Sequence, residues 1–153
     1  PTRHRGLNLN LRHQVNDRWL TTLGYGWRAA TFSAGSNAGK TLPEVPKHKL
    51  SLGNSVELSY HSQLNVDLVY TGRRYFGNDF DNAAKQMPSH TRVNLGYSYT
   101  LKSWTARFSI NNLTDKKTAD SGYYSVFNDS YSYYPLPGRA YYLTLSTEFY
   151  NGR

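Results

Sequence analysis

Alternation with a period of two governs this sequence. Near its end, Trp104, Ala106, Phe108 and Ile110 alternate with Thr105, Arg107, Ser109 and Asn111. After a polar, tyrosine-rich interval the period returns, with Tyr141, Leu143, Leu145, Thr147 and Phe149 in one row and Tyr142, Thr144, Ser146 and Glu148 in the other. Successive side chains of a strand point to opposite faces, so runs of this kind demand strands with one apolar and one polar surface. These two are expected to be antiparallel neighbours joined by an exposed loop. Five earlier runs behave alike. Leu7, Leu9 and Leu11 alternate with Asn8, Asn10 and Arg12 over about Gly6 to His13. The others run from Trp19 to about Phe32, His48 to about Tyr60, Gln63 to about Thr71, and Thr91 to Leu101.

What separates these strands matters as much as the strands. Asn16-Asp17, His61-Ser62 and Lys102-Ser103 are short turns, whereas Ser33 to Pro46, Gly72 to Ser89 and Asp115 to Pro137 are long connections. Strict alternation of short and long connections is what an outer-membrane barrel requires, with tight periplasmic turns and longer extracellular loops. The fold class expected is therefore all-β, an antiparallel transmembrane β-barrel. The run from Trp19 to Phe32 exceeds the roughly 9–11 residues that a tilted spanning strand needs. No apolar run approaches the ~20 residues of a spanning helix. Arg12, Arg28, Glu57, Asp67, Arg92, Arg107 and Glu148 all fall on polar rows, and an arginine on the lipid row at the midplane costs about 2–4 kcal/mol. Gly24 and Gly26, also on a polar row, leave room in the lumen for a packed neighbour. Seven strands are an odd number, and lipid tolerates no open sheet edge. Either upstream strands are missing or an eighth lies within 116–137, where Tyr123 to Phe127 and Tyr131 to Tyr134 are the candidates; a small extracellular hairpin is the alternative for both.

Composition narrows the classes. Hydrophobic residues make up 38% of the chain and aromatics 15%, which suits a wall that is apolar in alternate positions and belted with aromatics at both interfaces. The absence of cysteine excludes a disulfide scaffold and any thiolate metal site. A net charge of +8 permits anionic partners. However, Lys47 with Lys49, Arg73 with Arg74 and Lys116 with Lys117 lie near strand ends and form no base-reading stripe, so nucleic acid is not expected as a partner. His4, His13, His48 and His61 also sit at or beyond strand ends and read as solvated. Without a nucleophile elbow, a His-Glu-x-x-His motif or paired carboxylates, no enzyme, metal site or cofactor is expected. The start at Pro1, without initiator methionine or signal peptide, suggests a processed or truncated product.

Two motifs carry a resemblance. Asn111-Asn112-Leu113-Thr114-Asp115-Lys116-Lys117 resembles the segment after the penultimate strand of TonB-dependent outer-membrane receptors, usually Glu-Asn-Leu-Phe-Asp-Lys. Pro137-Gly138-Arg139 before Ala140-Tyr141-Tyr142-Leu143 resembles the Pro-Gly-Arg lead-in to their last strand, and Pro46-Lys47-His48 resembles another strand lead-in. Asn111 stands where Glu is common, Thr114 where Phe is common and Thr118 where an aromatic often sits. Phe149 matches the usual terminal aromatic, but Tyr150-Asn151-Gly152-Arg153 follows it. The resemblance implies that residues 1–153 are the C-terminal part, about seven strands, of a barrel of about twenty-two strands with a plugged lumen. It also implies that the N-terminal plug domain and upstream strands are absent from this chain. The implied function is uptake of a ferric siderophore or a similarly scarce ligand such as cobalamin. The implied partners are outer-membrane lipid and lipopolysaccharide, the plug, the ligand, and TonB through the missing N-terminal segment. Location in the outer membrane of a Gram-negative bacterium follows.

Within that frame, Gly72 to Gly77 is the best candidate for ligand contact at the barrel mouth. Arg73 and Arg74 offer guanidinium forks to carboxylate or catecholate oxygens, and Tyr75 and Phe76 offer faces for stacking on a planar group. Tyr131, Tyr133 and Tyr134, with Tyr123 and Tyr124 nearby, form a second candidate cluster. The bland alternatives are lipopolysaccharide-facing arginines with an interface girdle for the first, and an aromatic belt with loop packing for the second. Two other readings of the whole chain stand beside the receptor: a small complete outer-membrane barrel with a structural or adhesive role, and a soluble basic β-sheet binding module. The soluble module needs protein covering its apolar face, and no helix-like segment is available to provide it.

Overall fold

The structure is a computed structural model that describes residues 1–149. Its strands are β1 (Thr2–Asn16), β2 (Trp19–Phe32), β3 (His48–Ser59), β4 (Ser62–Thr71), β5 (His90–Leu101), β6 (Trp104–Asn111), β7 (Ala119–Ser125), β8 (Ser130–Pro135) and β9 (Ala140–Thr147). Seven of them make one antiparallel sheet in the order β1-β2-β3-β4-β5-β6-β9, while β7 and β8 form a separate hairpin. The 116–137 interval therefore holds no eighth wall strand but a hairpin, and the last two wall strands pair directly across it. The expected first strand is longer than its alternation suggested, because pairing with β2 continues from Thr2 to Asn16. Among the described residues the sheet is open, with β1 and β9 at its edges. Phe149 lies beyond the end of β9, and Tyr150 to Arg153 fall outside the described residues.

Register carries the apolar row from strand to strand. Leu11, Leu23, Leu52, Leu68 and Val93 stand opposite one another across five strands, and Leu95, Ile110 and Tyr141 continue the same face into β9. Each such cross-strand pair contributes about 0.2–1 kcal/mol. A slip of one residue would turn every one of these side chains to the other face, which is why the pattern fixes the pairing. Asn54 interrupts the row without being left unsatisfied. Its Oδ1 accepts from the Trp19 indole Nε1 at 3.0 Å and from the Thr21 hydroxyl at 2.8 Å.

On the polar face, small residues face large ones. A Cβ on Gly24 would lie 2.5 Å from Ser51 Oγ and 3.4 Å from Asn10 Oδ1, and one on Gly53 would lie 2.7 Å from Thr22 Oγ1 and 3.1 Å from Asp67 Oδ1. Gly24 thus provides the room expected of it, and the polar face packs by interleaving side chains between neighbouring strands.

Neither face of this sheet is its core. Leu7 remains 62% exposed and Leu143 70% exposed. The largest fully buried side chains are Phe76, Met87, Asn112 and Asp79, all in the long connections at one end of the sheet. Among the described residues no second layer of structure lies over the apolar face.

Candidate functional site

The three long connections meet at the end of the sheet away from the short turns. Residues 33–47 fold back on β2, where Phe32 N–H donates to Lys40 O and Leu42 N–H to Ala30 O, both at 2.9 Å. Asn82 joins this connection to the next one: its Oδ1 accepts from Thr41 N at 2.7 Å and its Nδ2 donates to Thr41 O at 2.9 Å. Glu44 N–H adds a bond to Tyr75 O at 2.8 Å. The 72–89 connection is bound in turn to the β7–β8 hairpin, through Gly77 N–H to Gly122 O at 2.8 Å and Tyr124 N–H to Gly77 O at 3.0 Å. Backbone and side-chain amides thus make one cluster of three segments that are remote in sequence.

This arrangement divides the candidate residues. Arg73 is exposed and Tyr75 half-buried, and both line a cavity of ≈ 310 Å³ together with Arg74, Lys47 and His48. Arg74 is buried, at 3% exposure. Its Nε donates to Asp120 O at 3.1 Å, and its Nη2 donates to Ala119 O at 2.8 Å and also to Asp120 O. Burial presses the Arg74 pKa downward, while the charges of Asp120 and Glu44 pull it back. The expected free guanidinium fork is consequently engaged with the hairpin backbone. Phe76 has no exposed stacking face, since its ring centroid lies 4.9 Å from that of Tyr131 and 5.2 Å from that of Tyr133. Gly122 lets the hairpin approach this closely, because a Cβ there would come within 2.7 Å of the Phe76 ring. Tyr131 is half-buried beneath Lys85, whose Nζ lies 4.0 Å from the ring centroid. Tyr133 and Tyr134 stay accessible, at 46% and 64% exposure. Among the candidates, Arg73, Tyr75, Tyr133 and Tyr134 are accessible, as is the nearby Tyr123, with Arg74, Phe76 and Tyr131 holding the cluster together.

Asp79 is a second buried ionisable group, at 1% exposure. Its Oδ1 caps the backbone N–H groups of Ala83 and Ala84 at 2.9 and 3.3 Å. Burial raises its pKa above the ordinary carboxylate value, with the hydrogen bond and charge of Asp81 adding to the rise and the two backbone donors opposing it.

The two motifs that carried the resemblance prove to be partners. Asn112 adopts φ 53° and Asp115 φ 50°, a left-handed conformation that Asn and Asp tolerate better than most residues. Asn112 Oδ1 accepts from Lys116 N at 3.0 Å, and its Nδ2 donates to Lys116 O at 3.1 Å and Pro137 O at 3.4 Å. Asp115 Oδ1 accepts from Arg139 N at 2.9 Å, and the Arg139 guanidinium lies 3.7 Å from Asp115 Oδ2. The motifs clamp the two ends of the β6–β9 connection together. That connection was expected to be exposed, yet Asn112 and Gly122 within it are buried.

Comparison with known proteins places this arrangement. The ferrioxamine receptor of Yersinia enterocolitica is 28% identical over 138 residues, which cover 84% of this chain and 18% of the receptor. The siderophore receptor PiuA from Acinetobacter baumannii superposes with a TM-score of 0.80 at 22% identity, over 95% of this chain and 22% of that one. The copper transporter OprC superposes at 0.76 and 18% identity, over 97% and 24%. The chain thus spans about a fifth of the length of these relatives. A family model described as TonB dependent receptor-like, beta-barrel matches residues 1–113, and the chain belongs to that family, as part of a receptor barrel.

Proposed function

We propose that this chain forms wall and mouth of an outer-membrane receptor that takes up a ferric siderophore or similarly scarce ligand with energy delivered through TonB. The observation that carries the reading is the union of an uncovered apolar face, a polar face opposite it, and long connections gathered at one end only. On the apolar face Tyr25, Trp27, Tyr70 and Tyr141 lie toward the loop end, and Trp19, Tyr99 and Trp104 toward the turn end. From Trp19 to Trp27 the strand advances about 27 Å, or roughly 20 Å in depth at a tilt of about 40°, close to the ~25 Å apolar band of such barrels. Lipid, with lipopolysaccharide at the loop end, covers that face; the plug of the complete receptor occupies the polar side. Arg73, Tyr75, Tyr133 and Tyr134 are the ligand contacts proposed at the mouth. Receptors in this family are transport proteins and not enzymes.

Relatives with the same fold are named for different cargo, ferrioxamine and copper among them, so the wall does not determine what passes. The test uses a strain lacking the gene for the complete protein. Uptake of labelled iron is measured with ferrioxamine, a ferric catecholate and ferric citrate, with and without TonB. Loss of TonB-dependent uptake of one chelate on deletion, restored by the gene, is expected. A polypeptide found in the soluble fraction instead of the outer membrane would overturn the reading.

A further inference from the structure

A cavity of ≈ 440 Å³ separates the start of β5 from the base of the hairpin. Its walls are apolar on opposite sides, Met87 and Pro88 from one connection and Tyr133 and Pro135 from β8. Lys116, Lys117 and His90 complete its lining. Positive groups outnumber carboxylates around it, with Asp120 and Glu44 the carboxylates that act on Arg74. Arg74, Lys116 and Arg92 all act electrostatically on His90, and Asp120 is the opposing group. Among the described residues the one ion pair is Arg139 with Asp115, so Lys116 and Lys117 make no ion pair there. Thr118, also in the lining, has its Oγ1 buried without a hydrogen-bond partner, where folding normally pairs such atoms.

We propose that this cavity binds a small organic anion with a flat apolar body, of the aryl carboxylate class. Apolar walls remove the ring from water, and Lys116 and Lys117 meet the carboxylate. A bare phosphate would satisfy the charge but leave the walls unused; a neutral aromatic would do the reverse. The site is distinct from Arg73 and Tyr75, and it rests on the receptor reading for placing this end of the sheet in the outside medium.

The experiment titrates the complete receptor in detergent with benzoate, and with inorganic phosphate and benzyl alcohol as comparators. Benzoate is expected to bind at least about tenfold tighter than either, and the double variant Lys116→Gln/Lys117→Gln to lose about tenfold of that affinity, as removal of a charge-assisted hydrogen bond implies. Equal binding of benzyl alcohol overturns the proposal in favour of a merely apolar pocket. Equal or tighter binding of phosphate overturns it in favour of a bare anion site such as a lipid headgroup phosphate would use. A second measurement needs no variant: benzoate should slow acylation of Lys116 and Lys117 in the unmodified receptor, read by mass spectrometry, without slowing Lys102 at the turn end. Equal protection of all three lysines, or of none, overturns it. Iron uptake on the same preparation separates the two readings. Uptake intact without benzoate binding sinks this proposal alone, whereas benzoate binding without uptake of any chelate supports it and counts against the proposed cargo.

Discussion

The wall and the mouth of this protein are stabilised in opposite ways. In the wall, side chains such as Leu11, Leu23 and Leu52 stand opposite one another on neighbouring strands, and among the described residues no second layer lies over the apolar face. In the mouth, Phe76, Met87, Asp79 and Asn112 are fully enclosed, and connections from three places in the sequence are bonded to one another. The wall therefore depends on its surroundings for burial and on its own backbone for geometry. The mouth carries its own small core. A loop cluster of this kind is as specific as a globular interior, even though it sits where loops are usually thought to be loose.

That contrast is open to attack at several points. Replacing Phe76 by Ala removes the central ring of the mouth and should cost about 3–5 kcal/mol there. Native-state hydrogen exchange should accelerate in β7 and β8 while the β2–β4 amides keep their protection; an equal loss in both regions would show that they are one cooperative unit. Leu52→Arg tests the wall and should cost about 2–4 kcal/mol in lipid, while Asn65→Arg on the polar face should cost far less. Urea titration of the membrane-inserted receptor measures both, and equal costs would erase the distinction between the faces. Arg74→Gln should loosen the hairpin from the 72–89 connection by about 1.5–3 kcal/mol, seen as faster proteolytic nicking there. Arg74→Lys should not restore it, because lysine lacks the fork that reaches two carbonyls.

The smallest effect expected is one of pH. The Asp79 pKa is raised in the folded mouth, so the folded state holds its proton longer than the unfolded one. Stability of the mouth should thus fall as pH rises above 3.8, the ordinary value, and level off above the folded pKa. Asp79→Asn keeps an oxygen for Ala83 and Ala84 and should flatten this dependence, as followed by amide exchange at those two residues. An unchanged slope would assign it to another group.

The wall was legible in the sequence because its determinants are local and periodic. β2 begins and ends at the residues that its alternation indicates, and the pairing follows from aligning apolar rows. Asn54 was visible as an interruption, but its partners Trp19 and Thr21 lie on the neighbouring strand. The mouth was legible only as the place where chemistry collects. Arg74 and Phe76 look like free recognition groups beside Arg73 and Tyr75, and what sets them apart is contact with Asp120 and the Tyr131–Tyr133 segment far along the chain. No local period encodes such contacts. Lys116, Lys117 and His90 went unassembled for the same reason. The signal available was the Asn and Asp of the 111–117 motif, residue types that bond to nearby backbone and tolerate left-handed turns.

The clamp between Asn112, Asp115 and Arg139 has a consequence for how such proteins diversify. It closes the neck of the connection with bonds that involve none of the residues between Thr118 and Leu136. Because the closure cost of a loop grows only slowly with its length, whatever is threaded between those two points can be exchanged, lengthened or grafted while β6 and β9 stay in register. The neck makes the hairpin a cassette, and a lineage can vary the segment above it without rebuilding the strands below.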